Sequence, residues 1–118
     1  MPLVQIRHRS NRVDVQTIET ILHGLTAVAA DALTCPEGGR LTSKDVVIEV
    51  DDIGRLDKNT KDICIRVWAH DYPSRREALA EIRKKISDEV IRNLPDDVSW
   101  YVWMLLAPTS YGSDTEDK

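Results

Sequence analysis

The chain has 118 residues, 16 Lys plus Arg against 20 Asp plus Glu, a formal charge of −4, and hydrophobic residues at 42%. A chain of this length buries roughly two-thirds of the surface its unfolded form exposes, enough for one core and too little for two domains. Half of the acid excess sits in the last five residues, where Asp114, Glu116 and Asp117 outweigh Lys118. The body lacks both the basic excess of nucleic-acid binders and a polybasic membrane-binding segment, so neither partner is expected.

Cys35 and Cys64 stand 29 residues apart with no Cys-x-x-Cys and no His at ligand spacing. They read as two buried thiols in a reducing compartment, with no metal motif. Arg7, His8, Arg9 and Arg12 interrupt the N-terminal stretch before any apolar run of about seven residues, which argues against a signal peptide. No run of about 18 apolar residues exists, and the cytoplasm is the expected location.

In chain order, Leu3, Val4, Gln5 and Ile6 form a short β-prone run. From Asp14, a plausible N-cap, the apolar period becomes three and four through Val15, Ile18, Ile21, Leu22, Leu25, Val28, Ala29, Ala32 and Leu33. This marks a helix with one buried face. Pro36 and the Gly38-Gly39 turn require it to stop by Thr34 or Cys35. Val46 to Val50 reads as a strand, and Asp51 to Asp62 as a polar loop. Ile63 to Trp68 is a second strand run. Ser74 and Glu77 have the spacing of a capping box opening a second helix, with Ala78, Leu79, Ile82, Ile86, Val90 and Leu94 as its buried face and Pro95 beyond its end. Trp100 to Leu106 is the last strand. Residues 1–110 are expected to form one domain and 111–118 an acidic flexible tail.

The order is β-α-β followed by β-α-β, the second unit displaced by about sixty residues. Parallel strands around right-handed crossover helices give an α+β two-layer sandwich, a four-stranded sheet with both helices on one face. The other face is left without a cover. Trp100, Tyr101 and Trp103 place half of the aromatic residues on the last strand, and alternation turns at least one ring away from the helices. Self-association is the expected remedy.

A Met-Pro start is one that methionine aminopeptidase normally trims, which would leave a secondary amine on Pro2. Such an amine takes a proton from carbon alpha to a carbonyl when burial and nearby cations bring its pKa toward neutrality. Met-Pro followed directly by a strand, two β-α-β units and this length resemble the tautomerase superfamily, which includes 4-oxalocrotonate tautomerase, 5-carboxymethyl-2-hydroxymuconate isomerase and macrophage migration inhibitory factor. The resemblance covers residues 2 to about 110. Asn11-Arg12-Val13-Asp14-Val15-Gln16 is similar to the Gly-Arg-Ser-x-x-Gln entry to the first helix of the short tautomerases, with Arg12 at the position of their substrate-binding arginine. Pro73-Ser74-Arg75-Arg76-Glu77 stands at the same place in the second unit, with Pro73 where the motif has arginine. Arg40 is the cation nearest to a lysine that some two-unit members carry after the first helix. Leu106-Ala107-Pro108-Thr109-Ser110-Tyr111 looks most like a small bacterial family of unknown function with this fold.

The resemblance implies a homotrimer, no cofactor, and a proline base at the bottom of a pocket between subunits. On that reading Pro2 is the general base, the substrate is a small enol or 2-oxo carboxylate, and Arg12, Arg40, Arg66, Arg75 and Arg76 are the candidates to hold its carboxylate. Arg66, mid-strand, is also placed to pair with Glu49 on a neighbouring strand. His8, His23 and His70 have no metal spacing and read as surface or packing residues. A second reading is a non-catalytic oligomeric scaffold or small-ligand-binding protein of the same fold, motivated by the altered arginine pattern. A ferredoxin-like ligand-sensing domain has the same number of strands and helices.

Overall fold

The computed structural model describes residues 1–115; the end of the expected acidic tail, residues 116–118, lies outside the described residues. The chain forms β1 (Leu3–His8), α1 (Val15–Leu33), a 3-10 turn (Ser43–Asp45), β2 (Val47–Asp52), β3 (Ile63–His70), α2 (Pro73–Glu77), α3 (Leu79–Arg92) and β4 (Trp100–Ala107). The strands lie in the order β2-β1-β3-β4. β1 runs parallel to β2 and β3 parallel to β4, while β1 and β3 meet antiparallel at the centre, Leu3 opposite Trp68 and His8 opposite Ile63. Two β-α-β units thus join back to back into one α+β sandwich. No helix among the described residues is long and apolar enough to cross a membrane.

Alternation along the central strands decides what each face carries. Val4, Ile6, Ile63, Ile65, Val67, Val102 and Met104 join Ile18, Ile21, Leu25 and Leu33 of α1 and Ile82, Ile86 and Val90 of α3 in one buried cluster. Truncating a fully buried member such as Ile86 to Ala costs about 2–5 kcal/mol, the lost transfer energy plus the cavity left behind. The opposite face carries Gln5, Arg7, Cys64, Arg66 and Trp68, with Trp103 52% exposed on β4. Both cysteines are free and buried.

The two helix entries differ although their sequences suggest equivalents. Asp14 caps α1 as expected, its carboxylate accepting from Thr17 N at 2.8 Å. The Ser74–Glu77 capping box does not form. Tyr72 is the N-cap of α2, Pro73 takes the first turn, where its missing N–H costs nothing, and the Ser74 N–H donates instead to Glu37 Oε2 at 3.0 Å. The expected single helix is also broken at Ala78, whose ψ of 12° separates α2 from α3.

The Arg66–Glu49 pair is likewise absent among the described ion pairs. β1 lies between β2 and β3, which sets these residues two strand spacings, about 10 Å, apart. Gln5 fills the interval, donating to Glu49 Oε1 at 3.4 Å and accepting from Trp68 Nε1 at 3.0 Å. Arg66 turns its guanidinium over the Trp103 ring, 5.9 Å from the centroid.

Beside the apolar cluster, one contact between α1 and α3 is polar. Glu89, buried on α3, lays its carboxylate on Gly24 of α1 and accepts from Arg92 Nη2 at 2.7 Å. A Cβ at position 24 would fall on that carboxylate. Gly24→Ala should therefore gain less than the roughly 1 kcal/mol of helix propensity in the wild-type background and more of it in Glu89→Ala. A double-mutant cycle by urea unfolding measures the difference, and additive effects would refute the contact.

At the far end of the sheet Asp62 joins the entries of β3 and β4. Its carboxylate accepts from Ser99 N at 3.0 Å and its own N–H donates to Ser99 Oγ at 2.9 Å. The Ser99 N–H, with the Ser99 hydroxyl and Arg12 beside it, holds the Asp62 carboxyl below the usual aspartate value. A depressed folded-state pKa contributes stability that is present above the unfolded value and lost as pH falls through the folded one. Urea midpoints should hold from neutrality to about pH 4 and fall below it, with a shallower acid slope in Asp62→Asn.

Candidate functional site

At the other end of the sheet, the start of β1, the end of β3, the loop after α1, the entry to α2 and the segment after β4 surround a cavity of about 250 Å³. Pro2, His70, Tyr72, Arg75, Thr109 and Tyr111 contribute to its wall. Pro2 is buried. A proline is tolerated there because the first residue of a strand need not donate to the ladder, and its carbonyl accepts from Val47 N at 2.9 Å, tying the chain start to β2.

Arg75 is the most constrained cation at this end. It is 4% exposed, and a guanidinium so buried needs acceptors. Nε donates to Leu33 O at 3.0 Å and Nη1 to His70 O at 3.1 Å. Leu33 closes α1, so the guanidinium meets the negative end of that helix at a carbonyl with no intrahelical partner. Tyr72 lies under it, 5.0 Å from the guanidinium carbon to the ring centroid. These bonds use two of five N–H donors, and no described ion pair includes Arg75.

The loop after α1 fixes Tyr72 and α2. Gly39 turns with φ of 76°, a conformation glycine adopts without a steric penalty. A Cβ on Gly38 would come 2.8 Å from the Tyr72 ring, so the loop reaches Tyr72 only because position 38 lacks one. Glu37 then caps Ser74, and that backbone N–H holds the Glu37 carboxyl below its usual value. Opposite, Asp71 N donates to Ala107 O at 3.0 Å and Thr109 N to His70 Nδ1 at 3.0 Å, leading the chain after β4 along the end of β3 and Tyr111 to the cavity. The His70 and Tyr72 rings stand 4.6 Å apart.

Of the five arginines singled out in the sequence, only Arg75 shares this cavity with Pro2. Arg12 lies past the other end of β1, roughly 20 Å of strand away, with Nη2 donating to Asp97 O at 2.8 Å and Nε 3.5 Å from Asp62 Oδ2. Arg76 is exposed and paired with Asp71 at 2.7 Å. Arg40 is exposed in a neighbouring groove, one residue before Leu41 of the cavity wall. Arg66 lies on the open sheet face beside a smaller cavity of about 80 Å³. There burial, then the Cys64 thiol, raises the Tyr101 pKa, with Arg66 opposing. His70 and Tyr72 were not singled out as site residues. Their one signal was position, at the strand exit just before the proline that opens the next helix.

No family model and no curated protein matches the chain. Solved structures do. A protein of unknown function from Vibrio cholerae superposes with a TM-score of 0.68 at 15% identity, over 98% of this chain and 85% of that one. A fused 4-OT, an asymmetric trimer, gives 0.63 at 18% identity over 95% and 92%. A macrophage migration inhibitory factor-like protein from Entamoeba histolytica gives 0.63 at 11% identity over 96% and 95%. The two parallel β-α-β units, joined antiparallel at the centre of one sheet, are the fold that this chain shares with these structures.

Proposed function

We propose that the chain is a cofactor-independent tautomerase in which Pro2, freed by removal of Met1, is the general base acting on a small enol or 2-oxo carboxylate. The observation that carries this reading is a buried guanidinium, Arg75, that has no carboxylate counter-ion among the described residues and stands in the wall of the cavity that Pro2 also lines. An arginine in a cavity wall with donors left over from its described hydrogen bonds favours an anionic ligand, and a planar fork suits a carboxylate. Burial of Pro2 and the nearby positive charge both disfavour a protonated amine, which moves a free Pro2 nitrogen toward the range of a base at neutral pH.

The reaction balances without a cofactor. With a 2-oxo acid held by its carboxylate, the Pro2 nitrogen takes a proton from C3, the C–H electrons form the C2–C3 double bond, and the carbonyl electrons move onto oxygen. Protonation of that oxygen from solvent gives the enol, and loss of the Pro2 proton restores the base. Ketonisation runs the same steps backwards.

The assembly proposed is a homotrimer. The open sheet face, with Trp103 52% and Trp68 37% exposed, supports a subunit interface there, as does the trimeric state of the fused 4-OT of similar fold. Sedimentation velocity should give a mass near three times the 13.4 kDa chain, and Trp103→Lys should shift it toward the monomer.

Intact mass of untagged protein should show Met1 removed, and 3-bromopropiolate should label Pro2 selectively near neutral pH. Phenylenolpyruvate ketonisation, followed by ultraviolet absorbance, should fall by on the order of 10²-fold in Pro2→Ala, with loss in Arg75→Gln expressed mainly in KM. Retention of Met1, or turnover that survives Pro2→Ala unchanged, would overturn the proposal.

A further inference from the structure

His70 lies on the same wall, unused by the reading above. Nδ1 accepts from the Thr109 backbone N–H at 3.0 Å, with the Thr109 hydroxyl also 3.0 Å away. A backbone N–H can only donate, so Nδ1 must offer its lone pair. The ring proton then resides on Nε2. Nδ1 is bound by the segment after β4, Tyr72 packs against the ring at 4.6 Å, and the His70 carbonyl is held by Arg75 Nη1. No described hydrogen bond uses Nε2. The only described ion pairs of histidine involve His8, at the other end of the sheet.

We infer that His70, through Nε2–H, is the hydrogen-bond donor to the C2 oxygen of a 2-oxo or enol carboxylate whose carboxylate lies on Arg75. The inference rests on the proposed function for its substrate class. A 2-oxo acid carries an anionic group and a carbonyl oxygen on adjacent carbons. This wall carries a guanidinium with spare donors and an imidazole N–H joined through one hydrogen bond, Arg75 Nη1 to His70 O. The cation meets the carboxylate and the uncharged donor meets the oxygen on which charge develops. His70 transfers no proton: the oxygen gains charge as Pro2 removes hydrogen from C3 and exchanges its own proton with solvent. A donor fixed in advance by Thr109 and Tyr72 needs no reorganisation as that charge appears. The strap after β4 becomes a positioning element, because the Thr109 N–H selects the tautomer that presents a donor.

Two replacements separate the ring nitrogens. In His70→Asn the amide oxygen can take over the role of Nδ1 toward Thr109, while the distal donor is lost. In His70→Gln the longer side chain can restore a donor near the Nε2 position. With Met1 removed and circular dichroism matching wild type, phenylenolpyruvate ketonisation should show kcat reduced by on the order of 10²-fold in His70→Asn with little change in KM, and a smaller loss in His70→Gln. Long-range 1H–15N spectra of the imidazole should show the proton on Nε2, and saturation with phenylpyruvate should move that signal.

Turnover that is lost in Pro2→Ala but undiminished in His70→Asn overturns the role of His70 and leaves the proline reading standing. A ring proton on Nδ1, or an Nε2 signal indifferent to phenylpyruvate, also overturns it. Conversely, a wild-type chain with free Pro2 and no turnover, whose Nε2 signal still moves with phenylpyruvate, overturns the proton-transfer reading and retains His70 as a ligand donor.

Discussion

The burial of one guanidinium organises the end of the sheet where the cavity lies. Arg75 cannot leave water without acceptors, and it finds them on two elements far apart in sequence, the last carbonyl of α1 and the last carbonyl of β3. Satisfying the charge therefore fixes the exit of the first helix, the exit of the third strand and the entry to α2 relative to one another. The loop after α1 lies against Tyr72 because Gly38 presents no Cβ, and Tyr72 in turn supports both the guanidinium and the imidazole. Had a carboxylate met Arg75, the same brace would exist with its charge already neutralised. Backbone carbonyls give hydrogen bonds without cancelling the charge, so the cavity wall stays positive.

The fold was legible because it depends on periodicity. The i, i+3, i+4 pattern from Asp14 to Leu33 and the β-branched runs before and after it are properties of each segment alone, and they determine which faces meet. Asp14 was readable as a cap for the same reason, since its partner Thr17 is three residues away. Ser74 obeys the same local rule and fails it: Glu37, thirty-seven residues earlier, reaches its N–H first. A short-range motif is only a candidate while a distant carboxylate can take its place. The Arg66–Glu49 pairing failed on strand order, which no local pattern contains; β1 had to lie between β2 and β3 before Gln5 could intervene.

The candidate site was legible in part. Pro2 and Arg75 could be named because an arginine at the entry of a helix is out of place for the helix dipole, and a proline after an initiating methionine offers a secondary amine once that methionine is trimmed. That these two share a cavity while Arg12 does not could not be read from the chain, because Arg12 is closer to Pro2 in sequence than Arg75 is. Six residues of extended strand carry it away, whereas the antiparallel pairing of β1 with β3 brings the exit of β3 back to the start of β1. His70 stayed hidden for a related reason. The role proposed for it rests on which of its nitrogens is already occupied, and that is decided by the Thr109 N–H, thirty-nine residues later.

The duplication explains why the two ends of the sheet are alike in plan and different in charge. The strands that open the units begin at Leu3 and Ile63, so Pro2 and Asp62 occupy equivalent positions, each just ahead of a central strand. Each unit also has an arginine near its helix entry, Arg12 in the first and Arg75 in the second. The antiparallel centre crosses them: Arg12 lies beside Asp62, and Arg75 shares its cavity with Pro2. At the first end a carboxylate ahead of the strand and Asp97 neutralise the arginine, and the assembly closes on itself as an ion-pair clamp between β3, β4 and the loop after β1. At the second end proline stands where the carboxylate would be. The guanidinium is braced by carbonyls, and no carboxylate among the described residues pairs with it. One plan, used twice, thus yields a closed ion-pair joint where the residue before the strand is acidic and a cavity where it is proline.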